Sequence, residues 1–308
     1  MLALNGASQV GVRVAGITIA AGCPSGDWTW TDRDRFGSFL SDDGPDVSIT
    51  AHVGRLPEGV PVGDLVRSLG GVRNVYLDEK SWTFEFCPDD REVYPQRPPH
   101  QVLVFDRRFV AGDLCLSIDT DSEQPTLSLS LFLSELLTAM LPFHDGLMIH
   151  ASGISDDGQG IVFAGPSGAG KSTIAGLWTD LAGVTVLNDD RIILRRSDGR
   201  WWAYPVPGVG EPRRGAPERV ALEAVFLLSH AQDNAAKRMN RAEGASSLLP
   251  HISLPSYDAE AVDLVLQLLD ELVNEIPTYQ LGFLPDRAAV GLVRDVVRQR
   301  NALEWVHC

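Results

Sequence analysis

The chain has 308 residues, of which 44% are hydrophobic, so it is long and apolar enough to form one large domain or two of ordinary size. Its 41 acidic residues against 26 basic ones give a net charge of -15, which opposes binding to nucleic acid and to anionic lipid. No stretch approaches the roughly 18 apolar residues of a membrane span. The four scattered cysteines have no zinc-type spacing and predict reduced thiols in a cytoplasmic protein. We therefore expect a globular protein with neither a nucleic-acid partner nor a membrane partner.

The first half of the chain is predicted to be rich in β-structure. Alternating apolar and polar residues predict strands at 9–20, 46–53, 80–86, 100–106 and 113–119. Only residues 62–70 have a helical pattern. The apolar run 126–141 predicts a helix closed by Pro142, although its Leu-Ser alternation also allows a strand at its start. We place the domain boundary near Gly146, between a β-rich α+β domain over 1–145 and a second domain over 146–308.

The second half alternates strands and helices, as an α/β domain requires. Strands are predicted at 147–154, 160–164, 183–187, 191–197, 201–206, 221–230 and 278–285. Helices are predicted at 171–182, 258–276 and 286–301. The aromatic residues Trp201, Trp202 and Tyr204 are expected to belong to the core rather than to a base-stacking platform.

A phosphate-binding loop is the most specific motif of the sequence. Residues 165–173 carry GPSGAGKST between a predicted strand and a predicted helix. The glycines allow backbone N–H groups to surround a phosphate, and the helix directs its positive dipole end at the same charge. Lys171 is expected to neutralise phosphate oxygens, and Ser172 to bind Mg²⁺. The predicted contacts of the nucleotide, which we take to be ATP, are Gly165, Ser167, Gly168, Ala169, Gly170, Lys171, Ser172 and Thr173. Kinases, ATPases, GTPases and transporters share this loop.

Two further positions carry side chains suited to phosphoryl transfer. Asp189 and Asp190 follow the apolar run 183–187, where carboxylates would lie beside magnesium and the γ-phosphate. The alternative is turn chemistry, which Asn and Asp residues favour. His150 lies on the strand before the loop strand, and a lone histidine among apolar residues is usually a core residue.

The Gly/Pro-rich segment 207–219 provides a third candidate. Glu211 is followed there by Arg213 and Arg214, so a carboxylate and two guanidinium groups are gathered in a segment that glycines make adaptable. A solvated loop is the alternative interpretation.

Taken in order, HASG at His150, GPSGAGKST, NDDR, GVGEPRR and LEAVFLL resemble the HPr kinase/phosphorylase family over about residues 145–285. The resemblance is greatest to HPr-kinase-related proteins encoded beside peptide-modification genes, including those of lasso-peptide clusters. It implies an α/β P-loop kinase domain over 146–308, with an HPr-kinase/PEP-carboxykinase-like sheet and flanking helices, preceded by the β-rich domain. Family members are often hexameric, so the resemblance allows a homo-oligomer.

The resemblance also implies roles for individual residues. Asp190 resembles the family aspartate that takes the proton from the acceptor serine, and His150 resembles the histidine of the HG-type motif. Lys171 and Ser172 would serve the phosphates and magnesium. Glu211 is similar to the second metal-associated carboxylate, with Asp189 assisting, and Arg213 would approach the transferred group. Thr173 and PGVGEPRRG depart from the HPr kinases proper, which favours a different acceptor from HPr.

The sequence thus predicts an ATP-dependent kinase that phosphorylates a serine hydroxyl of a peptide or small protein. Two alternatives remain open at this point. The first is a kinase of a free small molecule such as serine or a sugar, and the second is a nucleotide-sensing module that transfers no phosphate.

Overall fold

The computed structural model describes residues 9–23, 29–30, 33–53, 64–69, 73–86, 101–116, 126–127, 129, 132–207 and 218–304. The chain is a mixed α/β protein with two large sheets and few helices. Contacts divide it into two compact units: unit 1 comprises Met1–Phe143 and Pro255–Ala259, and unit 2 comprises His144–Leu254 and Glu260–Cys308. No helix in the described ranges combines the length and the apolar character needed to cross a lipid bilayer.

Unit 1 is built from short strands and one α-helix in its described part. The strands are β1 (Gln9–Val14), β2 (Ile17–Gly22), β3 (Thr29–Trp30), β4 (Leu40–Ser41), β5 (Val47–Val53), β6 (Asp64–Leu69), β7 (Arg73–Leu77), β8 (Ser81–Phe86), β9 (Gln101–Asp106), β10 (Ala111–Leu116) and β11 (Thr126–Leu127), and the helix is α1 (Leu133–Met140). One nine-stranded sheet has the order β4-β1-β2-β5-β10-β9-β8-β7-β6, and β11 pairs with β3. The described residues of this half have the predicted β-rich character. Cys23 and Cys115 are both buried.

Three predictions in unit 1 need correction. The stretch 9–20 is a hairpin rather than one strand, because Ala15 and Gly16 take positive φ values of 53° and 74° and turn the chain between β1 and β2. Within the stretch 62–70, the described residues 64–69 are not helical, since they form β6 and pair with β7. In the run 126–141 the first two residues form β11, as the Leu-Ser alternation allowed, residues Leu133–Met140 form α1, and Leu141 begins a 3₁₀ helix.

An aromatic cluster explains why the segment Pro255–Ala259 belongs to unit 1. Trp82 is fully buried, and the ring of Tyr257 meets it edge-on with 5.8 Å between centroids. Phe109 packs on the other rings of the cluster, with its centroid 5.5 Å from that of Trp82. Arg107 forms an ion pair of 2.6 Å with the buried carboxylate of Asp258. Burial raises the pKa of Tyr257 to about 12.

Unit 2 contains the second sheet and the remaining helices of the described part. The strands are β12 (Gly146–Asp156), β13 (Gln159–Ala164), β14 (Val184–Asn188), β15 (Arg191–Ser197), β16 (Arg200–Pro205), β17 (Val220–His230), β18 (Ala235–Arg238) and β19 (Thr278–Phe283). The α-helices are α2 (Lys171–Trp178), α3 (Arg241–Leu248), α4 (Ala259–Glu275) and α5 (Arg287–Glu304). The strands and helices predicted here are present, and β18 and α3 are additions. Helix α2 is shorter than predicted, because Thr179 is extended and Asp180 has a φ of 66°.

The sheet of unit 2 closes on itself. Its strands run β13-β12-β15-β16-β17-β19-β18, β14 pairs with β12, and β13 also pairs in parallel with β17. Apolar side chains of the sheet pack on one side with α4, and on the other side with α2 and α5. Trp201 and Tyr204 are 1% exposed, which confirms the prediction that they are core residues. Trp202 is half-buried, with the Arg219 guanidinium 3.9 Å from its ring centroid.

Candidate phosphate-binding site

The predicted loop leaves the sheet of unit 2 at the end of β13, between β12 and β17, and leads into α2. Gly168 and Gly170 have φ values of 81° and 98°, a backbone region that residues with a Cβ rarely adopt. A Cβ at Gly170 would lie 2.8 Å from the ring of Phe283, whereas a Cβ at Gly168 would meet nothing within 4 Å. The middle of the loop is therefore open, and its last turn is closely packed.

Lys171 begins α2 and is only 8% exposed. Its ammonium group donates to the carbonyl oxygens of Gly165 and Pro166 at 2.9 and 3.0 Å. Its own carbonyl accepts a hydrogen bond of 3.1 Å from the hydroxyl of Ser152 on β12. Burial lowers the pKa of Lys171, and the negative charge of Asp190 opposes this effect. The lysine is thus held at the loop and lies within the electrostatic reach of the predicted base.

The turn between β14 and β15 is organised by Asn188. Its amide oxygen accepts from the backbone N–H groups of Asp190 and Arg191 at 3.0 and 3.4 Å, and its amide nitrogen donates to the carbonyl of Val206 at 3.3 Å. Asn188 is therefore a turn residue, as the alternative interpretation proposed. Asp189 is exposed at the same turn. The Asp190 carbonyl accepts from the backbone of β12 at 3.1 Å, so the turn is fixed to that strand.

His150 and Asp190 lie side by side. The Nε2 atom of His150 is 3.4 Å from Oδ1 of Asp190, and Nε of Arg191 is 3.6 Å from Oδ2 of the same carboxylate. Burial lowers the pKa of His150, and the positive charges of Lys171 and Arg191 add to this effect, whereas Asp190 opposes it. His150 is 43% exposed and Asp190 is 47% exposed, so both groups are accessible to a ligand.

Not every predicted site residue belongs to this arrangement. Glu211 and Arg213 lie outside the described residues, so their roles stay predictions. Ser172 and Thr173 are exposed at the start of α2, and Ser167 is exposed in the loop. Within the described ranges, no three His, Cys, Asp or Glu side chains are grouped to hold a metal ion. A Mg²⁺ ion that also binds phosphate oxygens and water needs only one or two protein ligands, and the Ser172 hydroxyl and the Asp189 carboxylate are exposed oxygen donors of that kind.

His251 is a residue that sequence reasoning missed. It ends a short 3₁₀ helix after α3, and the next residue, Ile252, forms an antiparallel bridge with Ile149. The Ser253 amide donates to the carbonyl of Met148 at 2.8 Å. A single histidine between Pro250 and Ile252 gives no local motif, so only the folded chain reveals its proximity to the loop.

Comparisons with known proteins give a family model and similarity to solved structures. A family model described as "SynChlorMet cassette protein ScmC" matches residues 114–283, which is more than half of the chain. The HPr(Ser) kinase/phosphatase from Coxiella burnetii is similar at 12% identity with a TM-score of 0.31, covering 51% of this chain and 98% of that chain. No curated protein matches.

Proposed function

The chain belongs to the family of the SynChlorMet cassette protein ScmC, and we propose that it is an ATP-dependent kinase that phosphorylates a serine hydroxyl of a peptide or small protein. The observation that carries this proposal is the convergence of three side chains at the loop. Asp190 lies 3.4 Å from His150, and both are within the electrostatic reach of Lys171. We further propose residues 146–308 as the P-loop kinase domain and residues 1–145 as a preceding β-rich domain.

The phosphate-binding loop suits a nucleoside triphosphate. Gly168 leaves open space at the middle of the loop. The N-cap residue of α2 is Gly170, which has no side chain to accept from the first backbone N–H groups of the helix, so these groups can donate to phosphate oxygens. Lys171 can exchange its two carbonyl partners for phosphate oxygens, which are stronger acceptors. Mg²⁺ would be held by Ser172 and Asp189, with Glu211 as a further candidate, and it would neutralise charge on the transferring group.

The proposed transfer needs a base and positive charge near the acceptor. A serine hydroxyl is a weak nucleophile at neutral pH, and a carboxylate within hydrogen-bond reach corrects this. Asp190 takes the hydroxyl proton while the serine oxygen forms its bond to the γ-phosphorus. Lys171 stabilises the charge that develops when the bond from that phosphorus to the β-phosphate oxygen breaks and ADP departs. His150 lies against the Asp190 carboxylate and orients it towards the acceptor.

The test is transfer from γ-labelled ATP in the presence of Mg²⁺ to serine peptides, with free serine and sugars as competing acceptors. Asp190→Asn is expected to bind nucleotide as the wild type does and to lose transfer by about 10²-fold or more, because a general base contributes that much. Asp180→Asn is the matched control, since Asp180 is exposed at a positive φ that asparagine also tolerates.

Three outcomes would contradict parts of the proposal. Transfer at the wild-type rate by Asp190→Asn would refute the assignment of the base. Labelling of free serine in preference to peptides would refute the acceptor class. Nucleotide binding without any labelled acceptor would favour the sensing module over a kinase.

A further inference from the structure

A second histidine stands opposite His150. Ile149 and Ile252 form an isolated antiparallel bridge, and the residues of an antiparallel pair advance in opposite directions. His251 therefore lies directly across from His150. The bridge thus brings His251, the last residue of the 3₁₀ helix, next to His150.

Both histidines lie near the beginning of α2. The two isoleucines of the bridge belong to the apolar core shared with α4. Successive strand residues point to opposite faces, so His150 on β12 points away from that core. The next residue on that face of β12 is Ser152, whose hydroxyl donates to the Lys171 carbonyl at the beginning of α2. His251, at the end of the 3₁₀ helix, lies within the electrostatic reach of both His150 and Lys171.

Charge links His251 to the same place. Burial lowers the pKa of His251, and the positive charges of Lys171 and His150 lower it further. Burial, Lys171 and Arg191 likewise lower the pKa of His150, with Asp190 as the opposing carboxylate. These surroundings favour the neutral form of both rings, and a neutral imidazole carries one N–H donor. An anion placed between them would favour protonation of the rings, and a protonated His150 has one N–H for the Asp190 carboxylate and one for the anion.

We propose that His251, together with His150 and Lys171, contacts the oxygens of the γ-phosphoryl group. This inference rests on the proposed nucleotide site and adds a residue to it. Lys171 at the start of α2 provides one hydrogen-bond donor to the phosphate. His150 on β12 and His251 after α3 provide further donors. The pair would distinguish a nucleoside triphosphate from a diphosphate, because ADP lacks the group that it contacts.

The first experiment measures the affinities of ADP and of the non-hydrolysable analogue AMPPNP by calorimetry. His251→Ala is expected to weaken AMPPNP binding about tenfold, since it removes a hydrogen bond to a charged acceptor, and to change ADP binding by less than about twofold. His251→Gln keeps an N–H donor and is expected to lose less. His52→Ala, on the exposed face of unit 1, is the control and should change neither affinity. Equal losses for both nucleotides, or none for AMPPNP, would overturn the proposal.

The second experiment needs no nucleotide. His150→Gln removes a neighbour that becomes positively charged as the pH falls, so the pKa of His251, followed by NMR, is expected to rise in this variant. An unchanged pKa of His251 would overturn the pairing, whatever the protein binds. A wild-type protein that discriminates AMPPNP from ADP through His251 but phosphorylates no acceptor would refute the proposed kinase and leave the phosphate contact standing. The two proposals therefore fail separately.

Discussion

Two arginine–carboxylate pairs in unit 2 differ chiefly in burial, which permits a controlled prediction of their stabilities. Arg294 on α5 holds Asp156 of β12 through Nε and a terminal nitrogen at 2.9 and 2.6 Å, with side chains 26% and 10% exposed. Arg196 on β15 holds Glu275 of α4 at 2.9 Å, with side chains 40% and 36% exposed. The Arg294 guanidinium also lies 5.3 Å from the centre of the Trp178 ring.

The exposed pair is expected to contribute about 0.2–1 kcal/mol, because water and salt screen it. The Arg294–Asp156 pair is mostly removed from water and its hydrogen bonds are charge-assisted, so we expect a coupling of about 1.5–3 kcal/mol. Arg294→Lys keeps the charge but loses the planar fork, and it should recover less than half of the coupling.

The assay is a pair of double-mutant cycles, Arg294→Ala with Asp156→Ala and Arg196→Ala with Glu275→Ala. The free energy of unfolding is measured in urea by tryptophan fluorescence at low salt and in 1 M NaCl. Salt should remove most of the coupling between Arg196 and Glu275 and little of that between Arg294 and Asp156. Equal couplings in the two cycles, or equal sensitivity to salt, would refute the argument from burial.

Two further predictions concern backbone strain and pH. Gly170→Ala is expected to lower the free energy of unfolding by about 2–4 kcal/mol, and the control Gly168→Ala by about 1–2 kcal/mol. Both residues have a positive φ, but only a Cβ at Gly170 would press on the ring of Phe283. Equal losses in urea unfolding would contradict this prediction, because they would mean that the ring moves aside. Burial raises the pKa of Tyr257 to about 12. The hydroxyl therefore keeps its proton in the folded state, whereas an unfolded tyrosine loses it near pH 10. The free energy of unfolding consequently falls as the pH rises from about 10 to 12. Tyr257→Phe should reduce that fall, and a pH dependence parallel to the wild type would contradict the prediction.

The hydrophobic periodicity and the loop motif predict secondary structure correctly where local sequence preference and tertiary structure agree. The strand, loop and helix around Lys171 follow from the motif, and α4 and α5 follow from their amphipathic spacing. Residues 64–69 show the limit of this reasoning: the spacing of apolar residues suits a helix, but pairing with β7 supplies the backbone hydrogen bonds of this segment. Helix α3 was missed although its capping box, Asn240 with Glu243, is legible in the sequence.

Some residues of the candidate site could be predicted from the sequence, and one could not. His150 and Asp190 were identified from their order around the loop, and the fold brings their side chains within 3.4 Å. His251 was not identified, because its position depends on a bridge between Ile149 and Ile252, which are about a hundred residues apart in the chain. No local rule predicts a pairing of that separation.

The discontinuity of unit 1 has a consequence for its biosynthesis. Trp82 packs against Tyr257, which is synthesised more than a hundred residues after Phe143, the last residue of the first segment of the unit. At about 5–20 residues per second, the ribosome needs roughly 6–22 s to reach Pro255 after Phe143. During that interval the nascent unit 1 lacks one edge of its aromatic cluster. A chaperone that binds exposed aromatic residues could bind unit 1 during this interval. A chain truncated after Phe143 would lack Pro255–Ala259, so its unit 1 would remain incomplete.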